Sequence, residues 1–122
     1  MTVSSVAEVV DSVLTALADP TRRRLLDQLS AADQATASTL AAALPISRQA
    51  VVKHLAVLDA AGLVESTRVG REVRFAVRPD ALAVTAGWMT SLAAEWDARL
   101  ARIKHAAEAA EKRLETDREQ LS

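Results

Sequence analysis

The chain has 122 residues, a net charge of −1, half of its residues hydrophobic and no cysteine. That length suits a single domain spanning residues 1–122, and the lack of cysteine excludes disulfides and thiolate metal sites. No apolar run approaches the roughly 18–20 residues needed to cross a bilayer, so no membrane association is expected.

Met1 to Val10 carry no positively charged run, so a signal peptide is not expected and the cytoplasm is the simplest compartment. The charge is unevenly distributed. Between Pro20 and Arg78, nine Lys and Arg (22, 23, 24, 48, 53, 68, 71, 74, 78) stand against five Asp and Glu (27, 33, 59, 65, 72). The remainder holds six basic and eleven acidic residues. A basic middle between acidic ends fits a DNA face opposite an acidic assembly face, although ordinary scatter of surface charge gives such a pattern too.

In chain order, apolar residues at 3, 6, 10, 13, 14 and 17 have helical spacing over Val3 to Leu17. Asp19-Pro20 then reads as an N-cap followed by proline at the first helical position. It opens a second helix, Pro20 to Ser30, that buries Leu25, Leu26 and Leu29. Ala31 to Ala35 is a polar connection, and Ala37 to Ala43 a short third helix. Leu44-Pro45-Ile46 forms a turn. Ser47 caps a fourth helix that reaches about Ala61 and ends at Gly62.

The period then changes. Leu63 to Arg68 and Glu72 to Val77 alternate as two short strands around the tip Val69-Gly70-Arg71. Pro79-Asp80 opens the last helical stretch, with apolar residues at 82, 89, 92, 96, 100, 103, 107, 110 and 114. Gly87 is a candidate break in it, and the polar tail Glu115 to Ser122 is expected to fray. There is no internal repeat and no linker. The fold class is mainly α with a small β-hairpin: a winged helix-turn-helix (36–61 the helix-turn-helix, 63–78 the wing) with terminal helices, 1–18 and 80–115, for dimerisation.

Short helix, three-residue turn, helix, hairpin is the arrangement that lays a second helix in the major groove of double-stranded DNA. Leu40, Val51, Leu55 and Leu58 form one apolar face. The opposite face carries Ser47, Arg48, Gln49, Val52 and Lys53. Arg can bond guanine bidentately, Gln can pair with adenine, and Val can touch a thymine methyl. Ser47 and the amides at the helix start can hold a phosphate. His54 lies beside this face as a phosphate donor or as a structural histidine. Arg68, Arg71 and Arg74 at or near the hairpin tip could reach flanking phosphates or the minor groove; solvated surface charge is the alternative.

These residues resemble the ArsR/SmtB-type winged-helix repressors. "ALADPTRRRLLDQLS" (Ala16 to Ser30) is similar to the family's entry into its second helix. "LAAALPISRQAVVKHLAVLDAAGLV" (Leu40 to Val64) is similar to its helix-turn-helix, and "GREVRFAV" (Gly70 to Val77) to its wing. The resemblance implies a homodimer on a near-palindromic operator and repression by blocking polymerase. It carries the family's DNA contacts onto Ser47, Gln49, Val52 and Lys53. Val52 and Lys53 fall where some relatives have Ser and His, so the operator sequence does not carry over.

A dimer would place two recognition helices one DNA turn apart, roughly 34 Å. Val6, Val10, Val13, Leu17, Trp88, Leu92, Trp96, Leu100 and Ile103 are the interface candidates; packing on the protomer's own core is the alternative. Many members of the family release DNA when metal binds. Here the recognition-helix thiolates are missing, Asp97 and Arg99 stand where a last-helix site wants Asp and His, and His105 with Glu108 is out of register with Asp97. The chain therefore resembles the metal-blind branch, and no metal or other cofactor is expected. Trp88 and Trp96 could instead line a pocket for an apolar small-molecule effector, or simply pack in the core or dimer. No nucleophile-base set, phosphate loop or paired carboxylates suggest an enzyme. A protein-interaction winged helix that never touches DNA, or a metal-responsive repressor of the same family, are the other readings.

Overall fold

The computed structural model describes residues 5–121. The first-helix position Val3 lies outside them. The order of elements is α1 (Val6–Leu17), α2 (Pro20–Ala32), β1 (Ala35–Thr36), α3 (Ala37–Ala43), α4 (Arg48–Ala60), β2 (Val64–Val69), β3 (Glu72–Val77) and α5 (Asp80–Leu121). Fold class and element order are as expected from the sequence, with three differences. The connection after α2 contains a strand, so the hairpin belongs to a three-stranded antiparallel sheet ordered β1-β3-β2. α5 runs through Gly87. It also continues to Leu121 instead of fraying from Glu115.

Polar side chains cap each helix of the helix-turn-helix region. Thr36 Oγ1 accepts from the Thr39 amide, and Ser47 Oγ from the Ala50 amide at 3.1 Å. Asp19 Oδ1 accepts from the amides of Thr21 (2.8 Å) and Arg22 (3.2 Å). The end of α1 is held by the next helix: Arg22 Nε donates to the Ala16 carbonyl and Arg23 to the Leu17 carbonyl. α2 extends to Ala32, where Asp33 at φ 64° and the Gln34 amide bonded to the Ala32 carbonyl make a γ-turn into β1. A second i→i+2 bond, Ile46 amide to Leu44 carbonyl, closes around Pro45 and fixes the turn between α3 and α4.

Removal from water tends to raise the Asp19 carboxyl. The backbone amides of Arg22 and Thr21, together with the Arg22 guanidinium and His54, outweigh that and hold it below its ordinary value of 3.8. A carboxyl lowered in the folded state contributes stability above its unfolded pKa, and that contribution is lost as pH falls through the folded value. Asp19→Asn keeps a capping oxygen that does not titrate. Paired urea melts at pH 5.5 and pH 3 are therefore expected to show wild type more stable than the variant at the higher pH, with the gap narrowing at the lower.

The core is built from Val13 and Ala16 of α1, Leu25, Leu26 and Leu29 of α2, Leu40 of α3, Val51, Leu55 and Leu58 of α4, and Leu63 and Val64 at the sheet. Gly62, at φ 76°, supplies the left-handed residue that ends α4. Contacts divide the chain into two compact units, up to Gly87 and from Trp88 onward. The second is a stretch of α5 alone, and its residues to Leu121 are all exposed. Among the described residues, no helix is long and apolar enough to cross a membrane.

Candidate nucleic-acid interface

α4 sorts its side chains by angle. At 3.6 residues per turn, successive residues step by about 100° around the axis. Val51, Leu55 and Leu58 share one side and are 0–1% exposed. Turned farthest from them are Gln49, Lys53, Ala56 and Ala60, all exposed, with exposed Val52 on the flank toward the wing. Ser47 and Arg48 are exposed as well.

Arg48 and His54 sit at the two edges of this face. Arg48 Nε donates to Ser38 Oγ of α3 at 3.1 Å. That bond ties the start of the recognition helix to the bracing helix. His54 is half-buried, and its charge acts on Asp19 at the start of α2. The Ser47 hydroxyl accepts from the Ala50 amide. The amides left at the open start of α4 are therefore those of Arg48 and Gln49, where an anion finds N–H groups and the positive end of the helix dipole.

The wing is a tight hairpin. Val69 pairs with Glu72, so the loop is the two residues Gly70-Arg71, one shorter than the expected tip. Gly70 takes φ 63°, which fits glycine at the first central position of a type II′ turn. Arg71 is the second loop residue and is exposed. The three arginines do not form one cluster. Arg68 pairs across with Val73, and Arg74 with Thr67 and Thr36, so the two lie on opposite faces of the sheet. Arg74 is bonded to Glu72 at 3.1 Å.

Between the start of α3, the start of α4 and the wing lies an open groove of about 530 Å³. Its wall includes Ser38, Arg48 and Val52 on the helix side and Arg71, Val73 and Phe75 on the wing side. The structure thus brings α4 and the loop arginine to one concave surface. It also removes part of the basic middle from that surface. Arg22 and Arg23 hold the end of α1, and Arg78 lies within 4.0 Å of Glu65 and Asp80.

Two residues of this surface were not anticipated. Ala56 could have been found by extending the angular count one more turn along α4. Ser38 had no signal, because its role depends on how α3 crosses α4. Among the interface candidates, Val10 (2% exposed) and Val13 (0%) are correctly placed on α1 but face the protomer's own interior, so they offer no surface to a partner. Leu17 packs partly against the same core, and Val6 is 58% exposed. Trp88, Leu92, Trp96, Leu100 and Ile103 are all exposed on α5.

Comparison with known proteins gives consistent relatives. A family profile described as a helix-turn-helix domain matches residues 17–67, from the end of α1 into β2. An ArsR-like transcriptional regulator from Rhodococcus sp. RHA1 superposes with a TM-score of 0.73 at 47% identity, over 81% of this chain and 92% of that one. The transcriptional repressor SdpR of Bacillus subtilis (strain 168) is 31% identical over 80 residues, 66% of this chain and 88% of its own length. The homodimeric winged helix-turn-helix DNA-binding domain of a Mycobacterium bovis protein, solved by NMR, superposes with a TM-score of 0.59 at 25% identity, over 78% of this chain and 91% of that one.

Proposed function

Because the chain belongs to the ArsR family of helix-turn-helix transcriptional regulators, we propose that it is a repressor binding a near-palindromic operator in double-stranded DNA as a homodimer. One observation carries this reading: Arg48 and Val52 of α4 and Arg71 of the wing border a single groove, with Gln49 and Lys53 exposed on the same helix. A helix in the major groove and an arginine-tipped loop against the adjacent backbone or minor groove would engage DNA together. Gln49 is the candidate adenine reader and Val52 the thymine-methyl contact; Lys53 and Arg71 are the phosphate contacts. The homodimer is supported by the homodimeric domain from Mycobacterium bovis and by the apolar residues exposed on α5. Control is read as metal-independent. The chain has no cysteine, and Arg99 stands where a last-helix metal site wants a histidine.

The test is fluorescence anisotropy with duplex DNA from upstream of the protein's own gene, titrated across salt. Specific binding at low salt is expected to weaken steeply, because each neutralised phosphate contributes a slope of about −0.9 in log affinity against log salt. Lack of binding at low salt would leave the protein-interaction reading standing instead.

A further inference from the structure

Arg48 leaves α4 on a different side from Gln49 and Lys53. At about 100° per residue it projects about 50° from the middle of the buried face and about 120° round from those two. There it forms part of the groove wall on the helix side, with Arg71 on the wing side.

The hydrogen bonds around Arg48 leave only donors on offer. A guanidinium has five N–H groups and no acceptor. One is spent, since Nε donates to Ser38 Oγ at 3.1 Å. The four on the terminal nitrogens remain. Because the Ser38 oxygen accepts that bond, its own O–H is available to a further acceptor. Among the described residues neither Arg48 nor Arg71 is in an ion pair. Glu72 is the carboxylate in the groove wall, and it already accepts from Arg74 Nε at 3.1 Å. Donors and positive charge without a free acceptor suit an anionic, oxygen-rich ligand.

We propose that Arg48 and Ser38 together clamp one phosphate of the DNA backbone, Arg48 carrying the contact and Ser38 setting its direction. The proposal rests on the DNA-binding reading above and deepens it by separating a backbone contact from the base readers of the same helix.

The bond to Ser38 decides which edge of the guanidinium meets DNA. With Nε tied to α3, the fork of the two terminal nitrogens is what a ligand finds. That fork matches two phosphate oxygens, and it matches the O6 and N7 of guanine equally well. Position separates the two. Base edges are reached from the outward face of a recognition helix, where Gln49 and Lys53 stand. A side chain on the flank, held back against the bracing helix, meets the rim of the groove where the phosphates run. Holding a rotamer-rich side chain before DNA arrives also lowers the cost of ordering it on binding. Lysine has neither the Nε–H that Ser38 receives nor the fork.

A phosphate contact and a base contact leave different signatures, so the test is anisotropy on the operator and on duplexes carrying single base-pair changes, each titrated with salt. Arg48→Gln is expected to weaken binding to every duplex by a similar factor, about tenfold or more. Its salt slope should be shallower by about 2, since each phosphate contact contributes about 0.9 and a dimer makes it twice. Ser38→Ala keeps the charge. It should keep the slope and the base preference while lowering affinity several-fold, and Ser38→Thr, which retains the hydroxyl, should restore it. Arg48→Lys should resemble Ser38→Ala. Thermal melting accompanies each variant, and Arg48→Lys carries the test should Arg48→Gln fail to fold.

A wild type that binds no DNA at low salt would overturn the DNA-binding reading and the clamp together. The remaining outcomes bear on the clamp alone. Arg48→Gln that relaxes preference at one base pair and keeps the salt slope would make Arg48 a guanine reader and overturn the proposal. So would Arg48→Lys with undiminished affinity. Ser38→Ala that shifts base preference, or that binds like wild type, would overturn the positioning role of its hydroxyl.

Discussion

Lys53→Glu combined with Arg71→Glu is expected to abolish operator binding while leaving the fold intact. Both side chains are exposed and lie outside the core of the first unit. Surface changes of that kind usually alter stability by less than about 0.5 kcal/mol. Their effect on DNA is of another order. On the proposed reading each reversal replaces a phosphate contact with an anion, and a two-fold dimer would carry every change twice. Four phosphate contacts are lost, and four carboxylates are set against the most highly charged polymer in the cell. Loss of four counterion-releasing contacts alone lowers the salt slope by about 3 to 4, and affinity near physiological salt should fall by about 10³ or more. The measurements are anisotropy for DNA, thermal melting for the fold and sedimentation for the oligomer. A double variant that melts and sediments like wild type yet still binds operator within about tenfold would remove α4 and the wing from the interface. Arg48 is the less clean choice for this experiment, because its bond to Ser38 braces α3 against α4. Reversing it would perturb the bracing helix along with the DNA surface.

That difference between Arg48 and Lys53 also shows where sequence reading stops. Helical spacing identifies Val51, Leu55 and Leu58 as the inward face of α4, and all three are buried. The caps are equally legible, since Asp19, Thr36 and Ser47 each sit one residue before a helix whose first amides need an acceptor. β1 was not legible. Two residues, Ala35 and Thr36, carry no alternation to detect, and they become a strand only because β3 lies alongside. The same limit applied to the arginines. Three on one hairpin look like a cluster along the chain, but register decides facing, and it separates Arg68 from Arg74. Val10 and Val13 show the ambiguity of an amphipathic helix: period alone says which face is apolar, not whether it meets the protomer's own core or a partner's.

The neighbouring pair Val52 and Leu55 gives the sharpest contrast between surface and core. Leu55 is 1% exposed in a cluster fed by α1, α2, α3 and the sheet. Leu55→Ala removes the contacts of a buried isobutyl group and leaves a void its neighbours fill only in part. A loss of about 2–5 kcal/mol is expected, a large fraction of the stability of a domain this size. Val52, 43% exposed on the groove, has little to lose. Val52→Ala should leave the urea midpoint nearly unchanged and lower affinity at one base-pair position only. The pair separates two kinds of failure. Leu55→Ala should lower the midpoint sharply, and with it the fraction of chains able to bind, while the folded fraction keeps its operator preference. Val52→Ala should stay folded and relax that preference. If instead Val52→Ala were the one to unfold, the angular assignment of α4 would be wrong by about a quarter turn, and Gln49 and Lys53 would no longer lie opposite the buried face.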